Sequence, residues 1–290
     1  MAIDFLAIGH LTHDRTPNGF RLGGTVSYAA VTALRLQRKP GVLTCGTLIG
    51  ADGQRPLLPG ECSNGARQFP QGIELHVAPS AVSTTFCNIY DGGRRRQVIE
   101  ALADPIGIEM LPPSWVDVPV VLLGPIANEL TEEWTTAFPR SLLGITPQGW
   151  MRQWDSAGNV SPTRWRDAGP FLARADAVVL SREDVGGDDP YIAHLASQTK
   201  LLVVTDGWHG ATLYTNGETY PVPPRPTHEV DPTGAGDVFA TAFLIRLDET
   251  SDPLKAAHFA TAVASMSVEA SGIDGIPDRG RVEKSLASGS

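Results

Sequence analysis

The chain is poor in cysteine, in lysine and in long apolar runs, and each shortage removes a class of protein. Its 290 residues contain three cysteines, Cys45, Cys62 and Cys87, with no Cys-x-x-Cys pair and no histidine cluster at metal-ligand spacing. A sparse, odd count excludes a disulfide framework and matches a reducing compartment, with each thiol a packing residue rather than a nucleophile. Only four residues are lysine, and the formal net charge is -9. Such an acidic chain is no general binder of nucleic acid or of anionic membranes. No run approaches the ~20 apolar residues of a membrane span. The opening "MAIDFLAIGH" lacks the basic and apolar regions of a signal peptide. The expectation is a soluble, cytoplasmic protein.

Several nucleotide-binding signatures are also missing. There is no G-x-x-x-x-G-K-[ST] segment and no HRD or DFG motif, which excludes a Walker-type NTPase and a protein kinase. "AIGHLTHD" does not supply the G-x-G-x-x-G turn that a dinucleotide-binding dehydrogenase needs after its first strand.

What is present is the rhythm of a doubly wound α/β protein with a mostly parallel sheet. Nearly all-apolar runs at 4–9, 41–46, 119–124, 141–146, 176–181 and 200–205 read as strands covered on both faces. The stretches 25–37, 191–198 and 253–270 read as helices. An apolar fraction of 42% and a charged fraction of 19% suit one globular domain over residues 1–290. One region breaks the rhythm. Residues 83–99 form two strand-like runs around Asp91-Gly92-Gly93, a hairpin signal, and 10–22 are too polar and irregular for sheet or helix. Together they predict a small β lid built from about 10–22 and 76–103. The run Arg94-Arg95-Arg96 reads as a charged edge that discourages pairing between molecules. "YPVPPRP" (220–226) reads as an extended approach, and the tail after Val282 as frayed.

The chemistry concentrates in "DPTGAGDVFATAFL" (231–244). From Val238 to Ile245 the one polar residue is Thr241, so this helix is apolar nearly all round and belongs inside the molecule. Its N-terminus then aims a positive dipole end and several unpaired N–H groups at whatever lies beyond. Gly234, Ala235 and Gly236 leave those amides unobstructed, with Gly236 expected at a φ that only glycine tolerates. The result is an anion hole with the Asp237 carboxylate beside it. That pairing makes sense if a phosphoryl group is transferred while Asp237 accepts the proton of the attacking hydroxyl. The competing reading leaves Asp237 as a partner of the helix dipole above a tight turn.

This stretch closely resembles the C-terminal signature of the ribokinase-like (PfkB) carbohydrate kinases, and further resemblances follow in order along the chain. "GHLTHD", ending in Asp14, and Gly23-Gly24 before a helix resemble the family's sugar-binding segment. "IGADGQ" (49–54), "VTDGWHGATLY" (204–214) with Thr205, Gly207 and Gly210, and "SGIDGIP" (271–277) resemble its second-strand turn, its nucleotide-binding turn and the segment closing the nucleotide site. The resemblance implies an ATP-dependent kinase acting, with Mg²⁺, on a hydroxyl of a small sugar or polyol. Asp237 would be the base and the amides of Gly234 to Asp237 the anion hole. The β lid would shield the reaction from water. Asp231 and the Thr233 carbonyl would help hold a monovalent cation such as K⁺, unless Asp231 simply caps its loop. The protein would be a monomer or a lid-mediated homodimer.

The chain also departs from the family pattern. Where many members carry Asn-x-x-Glu, it has Ser181-Arg182-Glu183-Asp184, so that Ser181 and Asp184, or Glu183 instead, would serve the nucleotide and reach Mg²⁺ through water. Tyr28 stands where many sugar kinases place an Asn. "TPQGWMRQWD" (146–155) resembles the inositol-kinase-like branch, in which Gln148 and Arg152 would reach a polyol or phosphate, unless they only pack a strand end. Asp14, Gly23 and Gly24 would then meet a cyclic polyol, with myo-inositol favoured over ribose or a nucleoside. Glu129, in "GPIANEL", is read as facing either the site or solvent, and His209 as a turn residue. From another class, a catalytically silent nucleotide- or polyol-binding regulator stays open.

Overall fold

The computed structural model describes residues 2–16, 19–47, 70–91 and 94–288. Cys62 and the "IGADGQ" segment lie outside the described residues, as do Gly92 and Gly93 of the expected hairpin turn. In chain order the strands are β1 (Phe5–Ile8), β2 (Thr12–Thr16), β3 (Gly19–Gly23), β4 (Pro40–Gly46), β5 (Glu74–Pro79), β6 (Thr85–Asp91), β7 (Arg94–Ala101), β8 (Val120–Leu123), β9 (Leu142–Ile145), β10 (Arg152–Trp154), β11 (Val160–Pro162), β12 (Ala177–Ser181), β13 (Leu201–Thr205), β14 (Ala211–Thr215) and β15 (Glu218–Val222). The helices are α1 (Thr25–Arg35), α2 (Gly169–Arg174), α3 (Asp189–Gln198), α4 (Ala235–Thr250), α5 (Pro253–Ser267) and α6 (Arg279–Ser288).

Among the described residues, nine strands join in one sheet of order β15-β14-β13-β12-β9-β8-β1-β4-β5. Every pair from β13 to β5 is parallel, and β14 and β15 add an antiparallel edge. The reason is visible in single strands. Phe5 and Ala7 of β1 pack into the core under α1, α4 and α5, whereas Leu6 and Ile8 pack into a second core with Trp134, Phe138, Phe171 and Ile192. Both faces of the strand are covered, so both sets of alternating side chains must be apolar.

The six apolar runs and three helical stretches read from the sequence fall on elements of the matching type. Other elements depart from expectation. Residues 10–22, polar as they are, contain β2 and β3, which pair with β6 and β7 in a separate four-stranded sheet of order β3-β2-β6-β7. The stretch from 76 does not start that sheet, because β5 pairs in parallel with β4 at the edge of the large one. The tail after Val282 is not frayed: α6 runs to Ser288, and Asp278 accepts a hydrogen bond from the Arg281 N–H at its start. Val282 is its one buried side chain, so no apolar period announces it. Arg96 of β7 is exposed and donates to Asn159.

Glu129 faces neither the cleft nor solvent. It is buried, and its carboxylate accepts hydrogen bonds from three backbone N–H groups, those of His10 (2.8 Å), Ile126 (2.9 Å) and Ala127 (2.7 Å). His10 follows β1 and Ile126 follows β8, so one side chain fastens the chain just past the carboxyl ends of two neighbouring strands. His10 adds to the clasp through Nε2 to the Asp104 carbonyl and Nδ1 to the Thr84 hydroxyl. Removing the carboxylate strands three inward-facing N–H groups, each costing about 1–3 kcal/mol. Glu129→Ala should therefore lower the unfolding free energy by about 3 kcal/mol or more; denaturant unfolding checks this, and an unchanged midpoint would remove the clasp.

Candidate active site

The open end of the large sheet lies where several parallel strands finish, which is where an open α/β sheet places its ligand crevice. A cleft of about 600 Å³ occupies it. Its floor is the start of α4. From Val238 to Ile245 every residue of α4 is buried, so the helix runs through the core and its first turn opens into the cleft.

Gly234 makes that opening possible. It takes a left-handed conformation, φ +79°, and a Cβ there would lie 2.2 Å from the Tyr28 ring. No side chain caps the helix, and the Ala235 N–H turns back to the Pro232 carbonyl. The following N–H groups have no intrahelical acceptor, as at any helix start. Gly236 differs from the expectation: its φ is not positive, and a Cβ there would meet nothing within 4 Å. The backbone constraint belongs to Gly234, while Gly236 keeps the space above the amides clear.

Asp237 stands in this first turn, half-buried. Desolvation raises its carboxyl from the usual carboxylate range to about 6; the Thr25 hydroxyl and the Arg152 charge pull the other way, and the Asp184 charge adds to the rise. Thr25 is placed by Gly24, which has φ +85° and would put a Cβ 2.4 Å from the His10 carbonyl oxygen.

Asp14, Gly24, Gln148, Arg152, Ser181, Glu183, Asp184, Thr205, Gly207 and Gly210 all line the same cleft as the motif residues Asp231, Thr233, Gly234, Ala235, Gly236 and Asp237. Gly23 does not. A Cβ on Gly23 would lie 2.6 Å from both the Asp14 carboxylate and the Thr12 hydroxyl, so it lets β3 pass close to Asp14. Gln148 and Asp184 come from different strand ends and meet: Gln148 Nε2 donates to one carboxylate oxygen and the Ser181 N–H to the other, both at 2.9 Å. Arg152 lies over the Phe86 ring, 5.6 Å from its centroid, and donates to the Ile126 carbonyl at 3.3 Å. His209 sits in the single turn Gly207–His209 after β13.

The sequence reading missed Thr25, Phe86, Gln97 and Thr146, which also line the cleft. Thr25 had a signal, since it follows Gly23-Gly24 at a helix start. Phe86 and Gln97 had none: they reach the cleft because the small sheet folds over it. Tyr28 is buried beneath Gly234, and burial together with the Asp237, Asp231 and Asp14 charges pushes its hydroxyl up. Its hydroxyl and that of Thr146 have no hydrogen-bond partner among the described residues.

Asp231 is already well supplied. Burial alone would raise its carboxyl; hydrogen bonds from Thr233 and Ser271 and the Arg21 charge outweigh that and hold it below the usual range. Its Oδ2 accepts from Arg21 Nη1 (2.9 Å), the Ser271 hydroxyl (3.0 Å) and the Gly272 N–H (3.2 Å), and Oδ1 from the Thr233 N–H (3.1 Å). Three donors crowd Oδ2, and Oδ1 accepts one. The Arg21 guanidinium thus stands at Oδ2, where the sequence leads us to expect a monovalent cation.

Comparison with known proteins adds three findings. Residues 177–279 match the family model described as pfkB family carbohydrate kinase. A stretch of 133 residues is 33% identical to probable fructokinase-5 of Arabidopsis thaliana, covering 43% of this chain and 41% of that protein. Another of 94 residues is 37% identical to the ribokinase of Bacillus subtilis, covering 32% of each chain. The matches thus span well under half the length of these curated relatives. Over nearly the whole length the fold matches a pyrophosphate-dependent kinase in the ribokinase family complexed with a pyrophosphate analog and myo-inositol, with TM-score 0.76, 21% identity, and coverage of 97% of this chain and 99% of that one. Motif, fold and matched segment point the same way: residues 177–279 match the pfkB family carbohydrate kinase model, and the chain takes a ribokinase-like α/β fold.

Proposed function

We propose that the protein is a phosphotransferase that moves the γ-phosphoryl group of ATP to a hydroxyl of a sugar or cyclic polyol. One observation carries this reading: a carboxylate raised to about 6 stands in the first turn of an uncapped internal helix. A base poised near neutral pH and a set of backbone donors for developing negative charge then face the same space. A silent binding protein has no use for the first. Asp237 takes the proton of the attacking hydroxyl, and the amides of the Gly234–Asp237 turn other than that of Ala235, which bonds to Pro232, receive the transferred group.

The rest of the cleft divides by chemistry. Ser181, Thr205, Gly207 and Gly210 line the cleft together with Pro224, Thr227 and Ala264, and we assign the ATP donor to this group. Asp184 suits Mg²⁺ held through water, since Gln148 donates to one of its oxygens and the Ser181 N–H to the other, and each oxygen has a second lone pair. Bound there, Mg²⁺ would neutralise phosphate charge. Gln148, through its bond to Asp184, orients that carboxylate. Asp14, which lines the cleft with Gly24 and Gln97, accepts hydroxyl hydrogen bonds from the substrate, and Arg152 places positive charge near Asp237. We favour a cyclic polyol such as myo-inositol over ribose, because Tyr28 packs against Gly234 and removes the amide that many sugar kinases offer at this position. The neighbour with myo-inositol in its complex supports testing that substrate first.

Asp237→Asn keeps the shape and removes the base, so kcat should fall by about 10²–10⁴-fold. In the unaltered enzyme kcat/KM should fall about tenfold per pH unit below about 6. Stability should move the opposite way. A raised carboxyl costs stability when ionised, above about 6, and nothing once protonated in both states, below about 4. The Asn variant should therefore melt a few degrees higher at pH 8 and no higher at pH 4. Near-normal turnover in the variant would end the base assignment.

The two motif glycines should separate. Gly234→Ala meets both a positive φ and the Tyr28 ring, and should lower the melting temperature by several degrees. Gly236→Val projects into open cleft, and should leave melting unchanged while turnover falls by about 10²-fold or more. Reversal of this pattern would make Gly236 a structural residue.

A phosphoryl-acceptor screen over inositols, pentoses, hexoses and nucleosides, with ATP and pyrophosphate as parallel donors, tests the substrate. Inositol should be the better acceptor and ATP the better donor, and Asp14→Ala should raise KM for the acceptor at least tenfold without changing ATP affinity. A strong preference for ribose would remove the polyol assignment and leave the kinase.

A further inference from the structure

We propose that Arg21 is a built-in counterion: its guanidinium stands in for a free monovalent cation at Asp231, so that the protein works without one. The part of this inference that concerns turnover rests on the kinase reading. The part that concerns the fold does not.

The geometry is a closed set of three side chains. Arg21 Nη1 donates to Asp231 Oδ2 at 2.9 Å, and Arg21 Nη2 donates to the Ser271 hydroxyl at 3.0 Å. That hydroxyl in turn donates to the same Asp231 oxygen at 3.0 Å. Segments separated by 210 and 250 residues in sequence are held at one point. The carboxylate is mostly buried, the Gly272 N–H adds a third donor to Oδ2, and the Thr233 N–H donates to Oδ1. An alkali ion at Oδ2 would have to displace these donors, the Arg21 guanidinium among them.

Charge gives the reason a cation is wanted. Four charged groups act on the Tyr28 hydroxyl beneath the anion-hole loop, and three of them, Asp237, Asp231 and Asp14, are acidic. Arg21 is the fourth. A positive charge at Asp231 offsets this excess without drawing on the pool of free ions, because a tethered group has a high local concentration. It also cannot be deprotonated at any working pH.

Placement adds a consequence. Arg21 lies on β3, and four residues later Thr25 bonds to Asp237. One short segment thus holds both carboxylates of the motif, Asp231 through a charged side chain and Asp237 through a hydroxyl. Loss of the Arg21 charge should loosen the loop that leads into the anion hole, and a cation that refills the place should restore it.

The test compares the full chain and its Arg21→Gln variant in potassium chloride and in choline chloride at equal ionic strength. Melting temperature is read without substrates, and turnover with the acceptor found by the screen. The unaltered protein should give the same melting temperature in both salts and turnover within about 1.5-fold. Arg21→Gln in choline should melt a few degrees lower and turn over about tenfold more slowly, with potassium restoring both. Arg21→Lys, which keeps the charge, should stay indifferent to potassium and serves if the Gln variant does not fold. Potassium activation of the unaltered protein would overturn the proposal, as would a potassium-specific rise in its melting temperature. So would an Arg21→Gln variant that loses nothing in choline, or one that potassium does not restore. Should no acceptor be phosphorylated at all, the kinase reading fails and the melting comparison still decides the role of Arg21.

Discussion

A helix that is apolar on every side can only sit inside a protein, and its ends must still find partners for their backbone groups. That requirement on α4 organises this molecule. The buried run Val238–Ile245 fills the core between α1 and α5. Its C-terminal end continues to Thr250 and emerges at the exposed edge. Its N-terminal end has no capping side chain, and uncapped N–H groups shut away from water would cost about 1–3 kcal/mol each. The chain meets this constraint by opening that end into a cleft. An anion-binding place is therefore a consequence of where the helix is buried, and desolvation of Asp237 in that turn raises its carboxyl despite the helix end.

The cleft is held open and in shape by side chains behind it and in its walls. Glu129 gathers the backbone that follows β1 and β8, so the strand ends that frame the crevice cannot drift apart. Gly24 lets α1 begin beside the His10 carbonyl, which brings Thr25 to Asp237. Gln148 and Asp184 couple the ends of β9 and β12. The small sheet then contributes Phe86 and Gln97 as a wall, with Phe86 also supporting Arg152. Each link is local and modest; together they place two carboxylates, one guanidinium and a helix end around one volume.

Much of this was legible in sequence because the signals are short-range. Six apolar runs announce strands buried on both faces, and "DPTGAGDVFATAFL" announces an apolar helix preceded by small residues. The β layer that includes 10–22 was legible as a lid, but its strands β2 and β3 were not individually, since a sheet that lies over a cleft buries little and shows no alternation. The helix α6 was missed for a similar reason: Val282 alone packs inward. Gly234 and Gly236 look alike in sequence, and only the backbone angle and the Tyr28 ring tell them apart. Glu129, in an ordinary-looking loop, gave no hint that three backbone donors converge on it.

The sequence by itself determined the α/β class, the order of the main strands and helices, and the coupling of Asp237 to a helix start, because each follows from periodicity and chemistry within some ten to fifteen residues. Tertiary structure alone decided which residues share the cleft, that Gln148 serves Asp184, and that Arg21 occupies Asp231. Those outcomes depend on pairings across 36 and 210 residues, and no local pattern records which distant donor a carboxylate will meet once the sheet closes around it.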